Sequence, residues 1–364
     1  MKVTLINNGT GSRIWRLDPY AIWLNEHGHQ ALLHPHGEEV GNEEAEWADV
    51  AIIQMVLEKK VIDLFHKFHC AVIYEIDDLI EKVTKLHPSY HKLTRGITTW
   101  RTYNCIRKSD ALFVSTLPIF KQYGWLKRKR DKFIFPNYLN LPFWEKEYKP
   151  NETDEIRIGW AGSWAHKDDL LFISPIIARL CKKYPKLKFI YVGMGGIHTV
   201  NSFNKYIWGE DLFKEIPPQQ REYHESVEPD VWPDKLANLR LDIGIAPVMN
   251  NEFSRAKSNI KYQEYAINRI PGVFSDVLYG DTVINGVDGI VVQNDPEQWF
   301  DKLCYLIDNK DVRIKLRIAA YVRAKKYFNI EQQYQPWLNA VQGVYARYVR
   351  RRGGKPRGGE GGKG

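Results

Sequence analysis

The stretch LDIGIAPVMNNEFSRAKSNIKYQEYAINRIPGVFS, residues 241–275, joins a strand, a loop, a helix and a second strand. Its two ends, LDIGIAPV and GVFS, are short apolar runs of the kind found in buried strands. Between them, Ile260, Glu264 and Ile267 share one helical face at spacings of four and three residues. Two buried strands joined by a helix predict a βαβ unit and a parallel sheet. The carboxylate of Glu264 on this apolar face calls for a functional explanation.

The same alternation runs through two halves of the chain. In the first half, strands are predicted at KVTLI, QALLHP, DVAIIQM, AVIYEI and DALFVS. In the second half they are predicted at IRIGWAG, KFIYVGMG, LDIGIAPV, GVFS and GIVVQN. The polar stretch EKEYKPNETDE between the halves predicts a linker. We therefore predict an α/β protein with two Rossmann-like domains, residues 1–148 and 149–330, and a ligand cleft at the carboxyl ends of their strands.

Composition places the chain among ordinary globular proteins, with 44% hydrophobic and 26% charged residues. Its four cysteines are widely spaced, which disfavours a disulfide framework or a zinc site and fits a reducing compartment. The N-terminal MKVTLI is typical of a strand rather than a signal peptide, and a long apolar window is missing. We expect a cytoplasmic protein, and peripheral contact with the inner face of the membrane stays open.

The net charge of +8 is unevenly distributed. From Arg347 to the C-terminus there are seven Lys and Arg residues and one Glu, which together contribute +6. The Gly-rich segment RRGGKPRGGEGGKG, residues 351–364, has almost nothing to bury and is predicted to be disordered. It is interpreted either as a solubilising tail or as an electrostatic arm for nucleic acid or anionic lipid.

Two polar motifs follow strands of the first half. In NNGTGSR, Gly9 and Gly11 allow a ligand close to the backbone, and Arg13 adds charge, although an ordinary βα turn explains these residues equally well. In EIDDLI, Asp78 fits a helix cap, which leaves Asp77 without a structural role at a strand end. Two carboxylates are too few ligands for a hard cation, so this motif is weak support for a metal.

Two further motifs follow strands of the second half. In GWAGSWAHKDDL, Gly162 and Ser163 bring the backbone close to a ligand, and His166 and Lys167 could reach a diphosphate. In the opening stretch, a helix begins near Ser258, whose hydroxyl is predicted to cap it.

The start of this helix predicts an anion site, because its free N–H groups lie close to Arg255 and Lys257. Glu264, one to two turns further, could accept both hydroxyls of a ribose. The alternative for Glu264 is a salt bridge to a nearby lysine. The sequence contains no GxSxG motif, which argues against a hydrolase.

These motifs occur in a familiar order, from KVTLINNGTGSR and YEIDDLI through GWAGSWAHKDDL and FIYVGMG to KSNIKYQEYAINRIPGVFS. The series resembles the GT-B glycosyltransferases, specifically the retaining family 4 group, over residues 1–345. The resemblance implies the GT-B fold, with a C-terminal helix at residues 331–350 that crosses back to the first domain. It also implies a UDP- or GDP-linked sugar donor and no cofactor or essential metal.

Roles for individual residues follow from the motifs and the resemblance together. Donor contacts are assigned to Gly11, Ser12, Arg13, Gly162, Ser163, Lys167, Ser258, Asn259 and Glu264. Catalytic roles are assigned to Lys257, Arg255 and Asp77, and Asp78 is placed on the acceptor side. Many relatives carry a second glutamate eight positions before the ribose-binding one, where this chain has Ala256. The group that contacts the hydroxyls of the donor sugar is therefore open.

The resemblance implies a hexosyltransferase that retains the anomeric configuration. Our leading hypothesis for its acceptor is a glycan, lipid or protein of the cell envelope. One alternative is a transferase that acts on hydroxymethylated bases of DNA, which the basic tail would steer. Others are a nucleotide-sugar epimerase of the same fold and a binding protein that has lost transfer activity. The sequence does not distinguish the sugar, the base or the acceptor.

Overall fold

The fold is built on two six-stranded parallel sheets. A computed structural model describes residues 1–7, 11–87, 90–162, 166–193, 198–199, 205–206 and 212–353. The first sheet has the order β2-β1-β3-β4-β5-β6. Its strands are β1 (Lys2–Asn7), β2 (Gln30–Leu33), β3 (Val50–Gln54), β4 (Ala71–Ile76), β5 (Ala111–Val114) and β6 (Lys132–Ile134). All five residues of β3 and all six of β4 are buried, as expected for central strands covered by helices on both faces.

The second sheet has the order β11-β8-β7-β12-β13-β14 and is also parallel. Its strands are β7 (Ile156–Ala161), β8 (Leu187–Val192), β11 (Arg221–His224), β12 (Ile243–Ala246), β13 (Gly272–Ser275) and β14 (Ile290–Val292). Two short strands, β9 (His198–Thr199) and β10 (Lys205–Tyr206), pair separately. The predicted α/β class with two Rossmann-like domains is confirmed.

The helices cover both sheets. In the first half they are α1 (Arg13–Arg16), α2 (Asp18–Glu26), α3 (Asn42–Trp47), α4 (Lys59–Lys67), α5 (Tyr90–Leu93), α6 (Gly96–Lys108), α7 (Leu117–Tyr123) and α8 (Leu141–Trp144). In the second half they are α9 (Lys167–Lys183), α10 (Trp232–Asn238), α11 (Glu252–Ala256), α12 (Ile260–Ile267), α13 (Asp276–Tyr279), α14 (Pro296–Asp308), α15 (Lys310–Tyr327) and α16 (Glu331–Arg351). None of the helices in the described part of the chain has the length and hydropathy of a membrane-spanning segment.

The last helix, α16, packs on the first sheet. The Trp337 ring stacks on Tyr20, with centroids 4.4 Å apart, and Val341 and Val344 are buried in the same cluster. The Nε of Arg347 donates to Asp131 at 2.9 Å. The C-terminal helix therefore crosses back to the domain in which the chain begins.

The predicted start of the disordered tail at residue 351 needs correction. Arg351 is the last residue of α16, and its guanidinium pairs with Asp131 at 3.4 Å. Arg352 caps the helix and contacts His69. These two cations are therefore parts of the packed helix end, because acidic and polar partners lie beneath them. Residues 354–364 of the predicted tail lie outside the described residues.

The two domains are joined by two chain segments that lie side by side. Residues 135–140 leave the first sheet, and residues 328–330 return to it. The Leu139 N–H donates to the carbonyl of Phe328 at 2.6 Å, and the Ile330 N–H donates to the carbonyl of Leu139 at 3.0 Å. The two crossings therefore form one short paired bridge.

Helix α11 belongs to the second half of the chain but packs on the first domain. Phe253 and Ala256 are buried in the hydrophobic cluster of the first domain. The hydroxyl of Thr116 donates to the carbonyl of Ala256 at 2.8 Å, and Lys82 pairs with Glu252 at 2.8 Å. The loop that leads into α12 is consequently held against both domains.

Candidate functional site

A cavity of about 270 Å³ lies between the carboxyl ends of the two sheets. The first domain contributes Gly11, Ser12, Trp15, Asp77, Asp78 and Asn137. The second domain contributes His166, Val248, Lys257, Ser258, Ile260, Lys261, Glu264, Leu278 and Tyr279. Both walls thus meet where an α/β fold places its ligands. We call this space the cleft cavity.

Glu264 lies on α12 and is 7% exposed. Its Oε1 accepts a hydrogen bond from the indole N–H of Trp232 at 3.2 Å. Burial raises the pKa of Glu264 to about 7, and the neighbouring Lys261 partly opposes this shift. The carboxylate therefore faces the cleft cavity with an unusually high proton affinity, and groups that donate hydrogen bonds to it would favour its charged form.

Lys257 is held by a chain of hydrogen bonds that starts at the backbone. The Met249 N–H donates to Asp169 at 2.7 Å, and the other oxygen of Asp169 lies 2.8 Å from Nδ1 of His166. Burial and the charge of Lys257 lower the pKa of His166 to about 4, so its imidazole is neutral. With its proton on Nδ1, His166 accepts from Lys257 through Nε2 at 3.2 Å. The ammonium group of Lys257 is fixed at the cavity wall.

Ser258 was predicted to cap the helix, and that prediction is wrong. The N-cap of α12 is Asn259, and neither residue provides a side-chain cap. Among the residues that the structure describes, the buried hydroxyl of Ser258 finds no hydrogen-bond partner. A buried hydroxyl without a partner is costly, so its position on the cavity wall favours a polar ligand there. Asn259 instead donates to Thr282 at 3.1 Å.

Lys261 is the second residue of α12 and lies about one turn after Lys257. Its ammonium donates to the carbonyl of Ala161 and lies 5.4 Å from the centre of the Trp160 ring. Burial lowers its pKa, while the charge of Glu264 opposes this shift. Gly162 allows this packing, because a Cβ there would lie 2.8 Å from Trp160 and 3.3 Å from the Lys261 ammonium.

The first-domain wall carries two adjacent carboxylates at the end of β4. Asp77 is buried, and its Oδ1 has no hydrogen-bond partner among the described residues. Burial raises its pKa, which Arg16 partly opposes. Burial and the charge of Asp77 raise the pKa of Asp78 to about 7, while Lys257 lowers it. The predicted cap at Asp78 is wrong, since the following 3-10 turn, Ile80–Lys82, has no side-chain cap.

A buried ion pair supports this wall. The guanidinium of Arg16 donates to Glu75, to the carbonyl of Phe135 and, at 2.9 Å, to Asn137. Burial raises the pKa of Glu75 to about 7 against the opposing effect of Arg16. Because Asn137 lines the cleft cavity, Arg16 connects the core of the first domain to the site.

Several predicted residues lie outside the cavity lining. The guanidinium of Arg255 bonds to Asn250 on the exposed side of α11, and Lys167 begins α9. Arg13 pairs with Asp18 at 3.3 Å and, across the cleft, with Asp230 at 3.1 Å. Gly162 packs behind the wall, and Asn259 is occupied by Thr282. Ser163 lies outside the described residues.

The cavity also contains residues to which the motifs assigned no role. Trp15 lies one turn after Gly11, and its ring packs at a tilt against that of Trp144, with centroids 4.4 Å apart. Asn137 and Tyr279 come from a loop and a short helix without a distinctive spacing. Trp15 could have been predicted as a cavity residue from the sequence, because it is an aromatic residue that follows a strand-end loop.

The burial of Ala256 explains why this chain lacks the second glutamate that many relatives carry at the corresponding position. Ala256 is fully buried against the first domain, so a carboxylate there would have to lie in an apolar cluster. Within the described residues, no group of three or more His, Cys, Asp or Glu side chains could hold a metal ion.

The structure resembles solved glycosyltransferase structures at low sequence identity. A sucrose-phosphate synthase from Thermosynechococcus elongatus matches with a TM-score of 0.71 and 11% identity, over 95% of this chain and 100% of that one. HepE from Anabaena, in complex with UDP-glucose, matches with a TM-score of 0.65 and 12% identity, over 94% and 99%. TarM matches with a TM-score of 0.61 and 13% identity, over 80% of this chain and 54% of TarM.

This chain thus corresponds to about half of TarM. Neither a protein-family profile nor a curated protein sequence matches it. The structural neighbours share the GT-B fold, which confirms that part of the predicted architecture.

Proposed function

We propose that the chain is a metal-independent, retaining glycosyltransferase that moves a hexose from a UDP- or GDP-linked donor to a hydroxyl acceptor. One observation carries the proposal. Inside the cleft cavity, the start of α12 with Lys257 and the unpartnered hydroxyl of Ser258 lies one to two turns from the buried carboxylate of Glu264. A nucleoside diphosphate combines the two chemistries that fit them, a dianionic phosphate group and a ribose diol.

The diphosphate would bind at the beginning of α12. The helix is eight residues long, and its first N–H groups and positive dipole end favour an anion. Lys257 adds a full charge, and His166 and Asp169 fix its position. A cation held in place before the reaction stabilises charge on the leaving phosphate without reorganisation, which lowers the barrier most effectively.

The ribose would bind at Glu264. Its two hydroxyls are donors, and an ionised carboxylate has acceptor sites for both. Hydrogen bonds to the charged form would lower the raised pKa of Glu264, so donor binding should release a proton near neutral pH. The indole N–H of Trp232 donates to one carboxylate oxygen of Glu264 and thereby orients the carboxylate.

The transfer step breaks the bond between the anomeric carbon and the oxygen of the leaving phosphate. The acceptor oxygen forms a new bond to the same carbon on the same face, and its proton passes to the leaving phosphate oxygen. This route needs neither a protein nucleophile nor a metal ion. Asp77 and Asp78, on the opposite wall, would orient the acceptor hydroxyl.

The acceptor would occupy a second, larger cavity in the first domain. It has a volume of about 920 Å³ and is lined by residues that include Asn7, Met55, Lys60 and Arg101. Asn7 donates to Gln54 at 2.7 Å, and Gln54 donates at 3.0 Å to Ser12 of the cleft cavity. A polar path therefore joins the two cavities. We propose a glycan, lipid or protein of the cell envelope as the acceptor that enters here.

Donor binding to the unmodified protein is the first test. A panel of UDP- and GDP-sugars is screened by thermal shift, because a donor that binds the folded state raises the melting temperature. We expect one nucleotide class to stabilise the protein and Glu264→Gln to reduce that shift. Glu297→Gln is the matched control, since Glu297 forms an exposed ion pair with Arg179. If the donor raises the melting temperature of Glu264→Gln as much as that of the wild type at every concentration, Glu264 does not bind the ribose.

A further inference from the structure

The first domain contains a segment whose charge exceeds that of the whole chain. Residues 92–132 contain eleven Lys and Arg residues and two Asp residues, a net charge of +9 against +8 for the complete sequence. The remainder of the chain, including the basic C-terminus, therefore sums to −1. Such concentration on one part of a fold creates a local positive field.

The two acidic residues of this segment are already engaged. Asp131 pairs with Arg347 and Arg351 of α16, and Asp110 pairs with His66 at 3.0 Å. The exposed cations of the segment are Lys92, Arg95, Arg101, Arg107, Lys108, Lys121, Arg128, Lys129 and Arg130. Among them, Lys108 pairs with Asp63 of α4 at 2.8 Å and Arg130 lies 4.0 Å from Asp131. The other cations form no ion pair with an acid among the described residues.

Large apolar side chains stand among these cations. On the outer face of α6, Trp100 is 62% exposed and Ile97 is 50% exposed. Trp125, in the 3-10 turn that follows α7, is 59% exposed, and its ring centroid lies 5.9 Å from that of Tyr103 on α6. The guanidinium of Arg107 lies 5.5 Å from the centre of the Trp125 ring. We call Ile97, Trp100, Arg101, Arg107 and Trp125 the basic aromatic face.

The helix that carries most of the basic aromatic face, α6, packs firmly on the first domain. The inner side of α6 buries Thr98, Thr102, Cys105 and Ile106. The outer residues Ile97, Trp100, Arg101 and Arg107 follow one another at helical spacing, so they form a continuous stripe. The exposed indole of Trp100 is therefore presented by a packed helix, and folding of the domain does not explain its exposure.

We propose that the basic aromatic face docks the protein on an anionic lipid bilayer. Lysine and arginine are attracted to the negative surface potential, and tryptophan prefers the boundary between headgroups and acyl chains. A nucleic acid would attract the cations and could stack on an indole, but the aliphatic Ile97 would gain little from it. The combination of both side-chain classes on one exposed face favours the lipid surface.

Docking in this way would place the acceptor cavity at the membrane surface. Arg101 lines the 920 Å³ cavity as well as a neighbouring cavity of about 400 Å³, whose lining includes Trp100. An acceptor exposed at the headgroup level would then lie next to the cavity entrance. The docking itself is independent of the proposed transfer reaction, because it needs neither donor nor acceptor.

Vesicle co-sedimentation of the full chain, without any nucleotide sugar, tests the proposal. The probes are vesicles of phosphatidylcholine alone and vesicles with an equal amount of phosphatidylglycerol. We expect binding to the anionic vesicles and little to the neutral ones, with a loss of binding at high salt. Equal binding of the wild-type protein to both, or to neither, would overturn the proposal.

Two double variants and a control distinguish the contributions. Trp100→Ala/Trp125→Ala should weaken binding by about tenfold or more, since each indole buries apolar surface in the bilayer. Arg101→Ser/Arg107→Ser should weaken it by about fivefold for each charge. The control Tyr305→Ala/Tyr327→Ala removes two exposed rings, each near a lysine, on the second domain and should bind as wild type.

The aromatic variant retains every cation, including those of the C-terminus. If it binds anionic vesicles as tightly as wild type while the arginine variant does not, charge alone explains the binding and the lipid proposal is overturned. The same holds if double-stranded DNA competes fully with the vesicles and the aromatic variant binds DNA as wild type. Because all four substituted side chains are exposed, unchanged melting temperatures are expected and serve as the folding control.

Discussion

The two walls of the cleft cavity differ in their charged groups. The second-domain wall presents both ammonium groups, Lys257 and Lys261, together with Glu264, whereas the ionisable groups of the first-domain wall are Asp77 and Asp78. The cationic wall suits an anionic donor. The acidic wall disfavours a second anion near the reacting carbon but accepts a hydroxyl. The asymmetry therefore predicts which substrate each wall binds.

The walls also differ in how their charges are held. Lys257 is fixed by a neutral His166, which adds no charge of its own. On the first-domain wall, the buried Arg16, which pairs with Glu75, partly opposes the rise in the pKa of Asp77. Substitutions in the first-domain wall should therefore affect the free energy of unfolding most. Substitutions in the second-domain wall should affect turnover most.

The largest effect is expected at Arg16. Arg16→Met leaves Glu75 buried without its partner and should lower the free energy of unfolding by about 3–5 kcal/mol. The loss should be smaller at pH 5 than at pH 8, because Glu75, with a pKa already raised to about 7, can then take up a proton. Chemical denaturation at the two pH values measures both.

A matched control for this prediction is Arg179→Met. Arg179 forms an exposed pair with Glu297, which should contribute at most about 1 kcal/mol. Equal losses in the two variants would mean that the buried pair does not support the first wall. Recovery of stability in Arg16→Met/Glu75→Gln would locate the effect in the unpaired carboxylate.

The second effect concerns Lys257. Lys257→Met should lower kcat by about 100- to 1000-fold, as for loss of one fixed group that stabilises transition-state charge. The melting temperature should change little, because the ammonium faces the cavity. Single-turnover kinetics with the donor identified by thermal shift measure the step directly. Lys186→Met, at an exposed pair with Asp154, is the control. A changed KM with unchanged kcat would contradict a role in the reaction.

The third effect is a pH dependence at Glu264. Burial raises its pKa from the ordinary 4.5 to about 7. This group therefore stabilises the folded protein below pH 4.5, and the contribution is lost as the pH rises through 7. Glu264→Gln cannot ionise, so its stability relative to wild type should increase by about 2–3 kcal/mol between pH 4.5 and 8. If the difference in unfolding free energy between Glu264→Gln and the wild type does not change with pH, the carboxylate of Glu264 is in contact with solvent.

The smallest effect is expected in donor affinity. Glu264→Gln should weaken donor binding by about tenfold at pH 8, since a neutral amide accepts the ribose hydroxyls less strongly. In the wild type, affinity should rise between pH 6 and pH 8, because the bound carboxylate is charged. Isothermal titration calorimetry in buffers of different ionisation enthalpy would show the released proton. The absence of any proton release would separate Glu264 from the donor.

The sequence predicted the central strands and the position of Glu264, because period and spacing report which residues share a face. It missed β11 (Arg221–His224), whose charged residues suit an edge strand, and the three-residue β6. Ser258 and Asp78 matched helix-cap patterns, yet both lie at the cavity. Local patterns cannot show that another domain covers a turn and leaves its polar atoms facing a cleft.

The charge of the first domain was missed for a different reason. With the C-terminal +6 subtracted, residues 1–346 carry a net charge of only +2. This small sum hides the +9 of residues 92–132, because the rest of residues 1–346 is acidic. Arg347 and Arg351 of the C-terminal region proved to be partners of Asp131. Contacts between distant segments decide which charges stay exposed, and a linear count does not contain them.

The paired crossings at Leu139 and Phe328–Ile330 limit how the domains can separate. Two backbone hydrogen bonds hold both connections together, so they act as a single hinge rather than two independent tethers. Swinging the lobes apart about this hinge would draw Phe253 and Ala256 out of the first-domain core into water. Ligand exchange would then carry an energetic penalty set by those two side chains, and their size would adjust the rate at which the cleft opens.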